Sequence, residues 1–547
     1  MLVSEAVGAT LAALGADTVF GVVGSGNFHV TNALIANGAR FVAARHECGA
    51  ACAADAWARG TGRPGIVSVH QGPGLTNAMT GITEAAKSRT PLLVLAADVA
   101  GAAVRSNFRI DVAALAASVG AVADRLHSPA TAAADAARAY RTAERERRTV
   151  VLAMPLDVQA AQCGPPAVPP VPPLAPPAPA PEAAARLAAA LGEAARPVFV
   201  AGRGARAARA GLEELADACG ALLATSAVAK GLFHGSPWDL GVSGGFASPL
   251  TAELITAADL VVGWGSSLNM WTMRHGRLIG PGARVAQIDD DSSAIGAHRP
   301  VDIGVLGDVA LTAQAVLAGL ARQHRPGYRS AELRARIARE ARWRDVPYAD
   351  EGRAGPDGVI DPRTLTIALD DLLPAERVVA IDSGNFMGYP SMFLAVPDEH
   401  GFCFTQAYQS VGLGLASAIG AALARPDRLP VAALGDGGAL MGISELETVV
   451  RLGLPMVVVV YDDEAYGAEV HHFGPDGFAL ETVRFPPADI AAIGRGFGCA
   501  GVTVRGPDDL GPVREWLAGP RDRPLVIDAK VASASGSWWL EEAFRGH

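Results

Sequence analysis

Short, unbroken apolar runs separated by helix-length, alanine-rich stretches recur along the whole chain, and this alternation restricts the fold more than any other feature. In the first third the runs are Thr18–Val22, Phe41–Ala44, Gly65–Val69 and Leu92–Ala96. Pro197–Ala201, Asp259–Gly263 and Arg284–Ile288 follow in the middle. Val378–Ile381, Val431–Leu434, Met456–Val460 and Leu525–Ile527 occupy the last third. Strands that are apolar on both faces belong in parallel sheets covered by helices on both sides. The expected fold class is α/β, with three doubly wound parallel-sheet domains. A chain of 547 residues is also too long for a single core.

The boundaries come from composition. Residues 164–181, GPPAVPPVPPLAPPAPAP, hold ten prolines. Such a stretch can be neither helix nor central strand and is expected to run as an extended spacer. It closes a first domain at 1–163 and opens a middle one at 182–325. A linker at 326–358, containing the arginine-rich helical stretch Ser330–Arg344, leads to a third domain at 359–547.

Charge and targeting signals narrow the function classes. Lys and Arg number 46 against 56 Asp and Glu, a net charge of −10 with no long basic run. That argues against nucleic acid or an anionic membrane as partner. No apolar run approaches the roughly 18 residues a membrane span needs. Met1–Gly15 lacks a basic start and carries Glu5, so it reads as a helix and not as a signal peptide. The six cysteines (48, 52, 163, 219, 403, 499) form no CxxC pair and read as reduced thiols. A cytoplasmic location is expected.

Two blocks share a design. HQGPG (70–74) ends a strand, a helix follows, and Pro91 opens PLLVLAAD; GDGG (435–438) ends a strand, a helix follows, and Pro455 opens PMVVVVYDD. Two like units could grip one ligand from both ends. The stretch GDGGALMGISELETVVRLGLPMVVVVYDDEAYG (435–467) carries the chemistry. Amides of Gly435, Gly437 and Gly438 at a helix N-terminus can face a phosphate. Asp436 and, one strand later, Asp463 reach the same sheet edge, and the turn at Glu464–Ala465 can add a carbonyl. Hard oxygen ligands beside a diphosphate suit Mg²⁺.

This stretch resembles the thiamin-diphosphate binding motif, which opens on GDG and closes on a pair usually written Asn-Asn. Asp462–Asp463 stands in place of that pair and makes the site more anionic. The resemblance implies thiamin diphosphate and Mg²⁺, with the metal on Asp436, Asp463 and the carbonyl of Ala465, and Tyr466 beside the cofactor. RHECGAACAADAWARGTGRPGIVSVHQGPGLTNAMTGITEAAKSRTPLLVLAAD (45–98) is similar to the pyrimidine-binding domain of the acetolactate synthase, benzoylformate decarboxylase and pyruvate decarboxylase superfamily. By that resemblance Glu47 drives the aminopyrimidine into its imino form, and Val411, in QSVGLGLASAIGAA, props the cofactor into its bent shape. The family joins the pyrimidine domain of one subunit to the diphosphate domain of another, which implies a homodimer or homotetramer.

Reaction-setting residues follow the same logic. Ser25 and His70 match the active-site Ser and His of benzoylformate decarboxylase, and an imidazole at a strand end could bind a carboxylate or relay a proton. In AYGAEVHHF (465–473), expected to be helical, Glu469 matches the active-site glutamate of pyruvate decarboxylases. His472 falls where acetolactate synthases carry a specificity-setting aromatic residue. His471 and His472 diverge by about 100° on a helix and make a poor metal pair. VFVAGRGARAA (198–208) looks like a dinucleotide fingerprint, but the acidic residue expected about 20 positions on is missing. VVGWGSSLNMWTMRHG (261–276) lacks the RFDDR-type motif of the FAD-binding members, which argues for a structural relic and against FAD.

The implied activity is a 2-oxo acid decarboxylase using thiamin diphosphate and Mg²⁺, with possible carboligation of the enamine intermediate. An acetolactate-synthase-like carboligase forming a 2-hydroxyketone is the alternative within the family. A flavin or nicotinamide oxidoreductase is disfavoured by the missing acid. Trp538 and Trp539, in SWWLEEAF (537–544), either cover the site or pack on the surface.

Overall fold

The computed structural model describes residues 1–166, 171–320 and 327–540. Part of the proline spacer (167–170) and the end of SWWLEEAF therefore lie outside the described residues. Three six-stranded sheets follow one another along the chain, every registered strand pair in them parallel.

The first sheet comprises β1 (Thr18–Gly21), β2 (Arg40–Ala43), β3 (Gly65–Val69), β4 (Leu92–Asp98), β5 (Val122–Arg125) and β6 (Thr149–Pro155), in the order β2-β1-β3-β4-β6-β5. The middle sheet comprises β7 (Pro197–Ala201), β8 (Leu222–Thr225), β9 (Asp239–Val242), β10 (Leu260–Trp264), β11 (Arg284–Asp289) and β12 (Ile303–Leu306), in the order β12-β11-β10-β7-β8-β9. The third comprises β13 (Arg377–Ile381), β14 (Phe402–Phe404), β15 (Leu429–Gly435), β16 (Val457–Asp462), β17 (Ala500–Val504) and β18 (Leu525–Lys530), in the order β14-β13-β15-β16-β18-β17. First and third thus have the same topology, and the middle sheet has the dinucleotide-fold order.

In each sheet the strand order reverses between two neighbours whose loops leave on opposite faces. The crevice at their carboxyl ends is where doubly wound sheets bind ligands. It lies between β1 and β3 in the first sheet, β7 and β10 in the middle, and β13 and β15 in the third.

The middle crevice is closed by its own loops. The Gly204 amide donates to the Gly265 carbonyl at 3.2 Å. A Cβ on Gly202 would sit 2.2 Å from that same oxygen. The fingerprint glycines thus serve a backbone-to-backbone contact, and a 3₁₀ turn, Arg203–Ala208, precedes the helix Arg209–Cys219.

The units are sewn together by small residues and by two arginines. Helix Glu47–Thr61 of the first unit lies against helix Gly414–Ala424 of the third, so close that a Cβ on Gly420 would reach the Ala53 carbonyl oxygen at 2.0 Å. Buried Arg59 bridges Asp55 and Glu84, each at 2.8 Å, and donates to the Phe404 carbonyl of the third unit at 2.8 Å. Arg206 of the middle unit donates to the Arg59 carbonyl at 3.0 Å. Among the described residues no helix is long and apolar enough to cross a membrane.

Candidate functional site

The third crevice opens into a cavity of about 290 Å³ at the ends of β13, β15 and β16. Strand β15 is apolar and buried up to Leu434, and the chain then turns directly into helix Asp436–Met441. Side chains press on the turn from all sides. A Cβ on Gly437 would lie 2.6 Å from the Tyr466 ring, and one on Gly438 would lie 2.2 Å from Asp382 Oδ2. Only glycine leaves these amides accessible to a ligand.

Asp436 and Asp463 both line this cavity, as do Val411, Ala465, Tyr466 and Glu469. Burial, then the charges of Asp463 and Asp462, push the Asp436 carboxyl up to about 8. Burial, then Asp462, push Asp463 up to about 7. Two carboxylates confined this way are costly without a cation, and a hard divalent ion would relieve both. Among the described residues no group of three or more His, Cys, Asp or Glu forms a ready metal cage. Two carboxylates and a carbonyl suit Mg²⁺, which takes its other ligands from phosphate and water.

The loop after β16 is held in a left-handed turn. Glu464 has φ +57°, and its amide donates to Asp462 Oδ1 at 3.1 Å. The Phe485 amide donates to the Glu464 carbonyl and the Tyr466 amide to the Val483 carbonyl, both at 2.8 Å. Helix Gly467–Phe473 follows and carries Glu469 to the cavity wall. His472 sits on the same helix, its ring 4.6 Å edge-on to Phe473, but does not line the cavity. Burial pulls its neighbour His471 below the ordinary imidazole range.

Four residues that the motifs did not point to support the site. Buried Asp382 accepts the amides of Gly412 at 3.0 Å and Leu413 at 3.2 Å, pinning the turn that presents Val411. Asn385 lies against Asp463 and accepts the Ser537 amide at 3.3 Å. Both follow the apolar run Val378–Ile381 in the sequence IDSGN, whose polar residues at a strand end were the available signal. Lys530 pairs with Asp462 at the ends of β18 and β16. Glu445 accepts the amides of Arg45 at 3.0 Å and His46 at 3.1 Å, fixing the start of the helix that Glu47 opens.

Trp539 is buried and lines the cavity beside Gly388. Its ring stands 6.0 Å from Trp271 and 6.2 Å from Phe246, both in the middle unit. Trp538 stacks on Trp343 at 5.3 Å. Trp539 and Leu540 therefore close one side of the cavity.

Ser25, His70 and Glu47 belong to a separate place. The cavity is lined only by residues between 362 and 540. At the first crevice the Gly26 amide donates to His70 Nδ1 at 3.1 Å, so the neutral ring carries its proton on Nε2. The exposed Ser25 rides on the same loop. Glu47 is half-buried, and its Oε2 accepts from Asn77 Nδ2 at 3.1 Å.

Fold and site together describe a doubly wound protein with a glycine-turned, acid-lined crevice in one of two like-folded units. Comparison with known families makes this specific. Residues 1–116 match the N-terminal TPP binding domain of thiamine pyrophosphate enzymes, 184–316 their central domain, and 382–529 their C-terminal TPP binding domain. The chain is 32% identical over 531 residues to the probable 2-ketoarginine decarboxylase AruI of Pseudomonas aeruginosa, covering 93% of this chain and 90% of the relative. It is 29% identical over 514 residues to the acetolactate synthase large subunit of Parasynechococcus marenigrum, covering 90% and 81%. It is also 29% identical over 544 residues to a sulfoacetaldehyde acetyltransferase of Castellaniella defragrans, covering 94% and 90%. The chain belongs to the thiamine pyrophosphate enzyme family.

Proposed function

We propose that the protein is a 2-oxo acid decarboxylase that works with thiamin diphosphate and Mg²⁺ in sites shared between two copies of the chain. The observation that carries the reading is Glu469, a carboxyl group on the wall of the same cavity as Asp436 and Asp463. The 32% identity to a relative named as a decarboxylase supports it.

Thiamin diphosphate, when bound, supplies a carbon nucleophile that adds to a carbonyl and takes up the electrons released with CO₂. Asp436, Asp463 and the Ala465 carbonyl would hold Mg²⁺, and the amides of the Gly435–Gly438 turn would hold the diphosphate. Val411, braced through Gly412 by Asp382, would support the cofactor from below. Glu47 of the second copy would hold the proton at the pyrimidine nitrogen, and His70 of that copy would offer Nε2–H to the substrate carboxylate. Glu469 would supply the proton that takes the place of the lost CO₂ on the substrate carbon. His472, one turn further, sits off the cavity wall.

Exposed apolar residues flank both half-sites, which supports a second copy there. Val23 is 40% and Phe28 53% exposed beside the Ser25 loop, and Leu440 is 41% and Met441 56% exposed on the helix after Asp436. Such side chains at the mouth of a site are ordinary for a surface that is covered in an oligomer.

The test is reconstitution with thiamin diphosphate and Mg²⁺ and a panel of 2-oxo acids that includes a guanidino-bearing one, with CO₂ and products followed by NMR, with and without an aldehyde acceptor. Aldehyde as the product is expected. A 2-hydroxyketone as sole product would replace this reading with a carboligase. No CO₂ from any acid, with cofactor bound, would reject it.

A further inference from the structure

Where the motif usually ends on two Asn, this chain has Asp462–Asp463, and the first of the two does not face the cavity. It ends β16 in register with Lys530, which ends β18. The Lys530 ammonium pairs with Asp462 Oδ2, stands 3.2 Å from Asp528 Oδ1, and donates to the Ala488 carbonyl at 2.9 Å. All three side chains are buried, at 8% exposure for Lys530, 2% for Asp462 and none for Asp528. The remaining Asp462 oxygen accepts the Glu464 amide and so closes the left-handed turn between Asp463 and Ala465.

We propose that Lys530 is a positioning residue for the metal loop, neutralising and clamping Asp462 so that the turn presents Asp463 and the Ala465 carbonyl to Mg²⁺. An Asn at 462 could accept the Glu464 amide with no counter-charge; an Asp cannot be buried there without one. The chain has thus exchanged one neutral residue for an ion pair contributed by two strands. This inference rests on the Mg²⁺ site proposed above.

The experiment is a double-mutant cycle on the full chain: Lys530→Met, Asp462→Asn and both together. Mg²⁺ is titrated at saturating thiamin diphosphate, with tryptophan fluorescence and calorimetry as readouts and circular dichroism as the check on folding. Lys530→Met should weaken Mg²⁺ binding about 10- to 100-fold, the range for outer-shell partners of metal ligands. In the Asp462→Asn background the same change should cost about threefold or less. Equal losses in both backgrounds, or no loss in either, overturn the proposal. If Lys530→Met fails to fold, the variant that also carries Asp462→Asn and Asp528→Asn decides, because Lys530 faces both carboxylates: folded with Mg²⁺ bound supports the pairing, whereas unfolded or metal-free overturns it. Wild-type protein that takes up no Mg²⁺ overturns the metal site itself, and this inference with it.

Discussion

The first and third units have one topology and opposite crevices. Between β1 and β3 the loop is stitched down. Asn27 binds the Gly24 amide at 2.8 Å and Ser68 Oγ at 3.0 Å, and a Cβ on Gly26 would collide with Gln71 Oε1 at 1.6 Å. Between β13 and β15 the glycine turn stays open above the buried Asp436 and half-buried Asp463 carboxyls. Topology therefore places the crevice, and the loop residues decide what it can do. In the first unit they hold an imidazole whose Nδ1 accepts a backbone amide and a half-buried Glu47; in the third they build a cup lined by carboxyl groups. The middle unit is a third outcome, a crevice shut by glycine against glycine.

Asp436→Ala should break the contrast most severely, because it removes the carboxyl group that sets the third crevice apart. Thiamin diphosphate and Mg²⁺ should be lost on desalting, and full cofactor content after that step would refute the metal assignment. Glu47→Gln should leave the cofactor bound while turnover falls about 10²–10⁴-fold; unchanged turnover would remove the first unit from the chemistry. His70→Ala should cost about 10²-fold and alter the aldehyde-to-ketone ratio, so an unaffected ratio would leave His70 a packing residue. Gly202→Ala sharpens the third case. Its Cβ would overlap the Gly265 carbonyl and cost about 1–3 kcal/mol in stability, measured by urea unfolding, with cofactor binding unchanged. A loss of cofactor instead would mean that the middle crevice takes part in the site.

The smallest effect concerns the seam between middle and third units. There Lys230 donates to the Ser391 carbonyl at 2.6 Å and lines a cavity of about 510 Å³. Burial pulls its ammonium from 10.5 down to about 7. Between those values the unfolded chain keeps a proton that the folded chain has released, so this group's contribution to stability rises with pH. The Tm of wild type relative to Lys230→Met should climb from about pH 7 to about pH 9.5. Parallel curves would falsify the shift.

Legibility in the sequence followed burial. Central strands such as β4 and β16 are apolar on both faces and could be read directly. The edge strands β5, β9, β12, β14 and β17 were not read, because an edge strand is half-wet or, like Phe402–Phe404, too short to show a pattern. Thr149–Pro155 was also missed although TVVLAMP is buried throughout. In the site, residues within one motif came together as their spacing implied: Asp436, Asp463, Ala465 and Glu469 share a cavity. Asp382, Asn385, Glu445 and Lys530 escaped notice because each acts across a long sequence separation, through a partner that only the fold identifies.

Arg59 has one further consequence. Its guanidinium and carbonyl together answer to all three units, through Glu84, Phe404 and Arg206. A guanidinium buried that deeply cannot be left half-answered without a heavy penalty. The three units consequently do not behave as interchangeable modules. A middle unit grafted from another protein would have to bring its own donor for the Arg59 carbonyl, and a third unit would have to bring an acceptor where Phe404 now stands. Modularity is visible in the strand order and cancelled at a single residue.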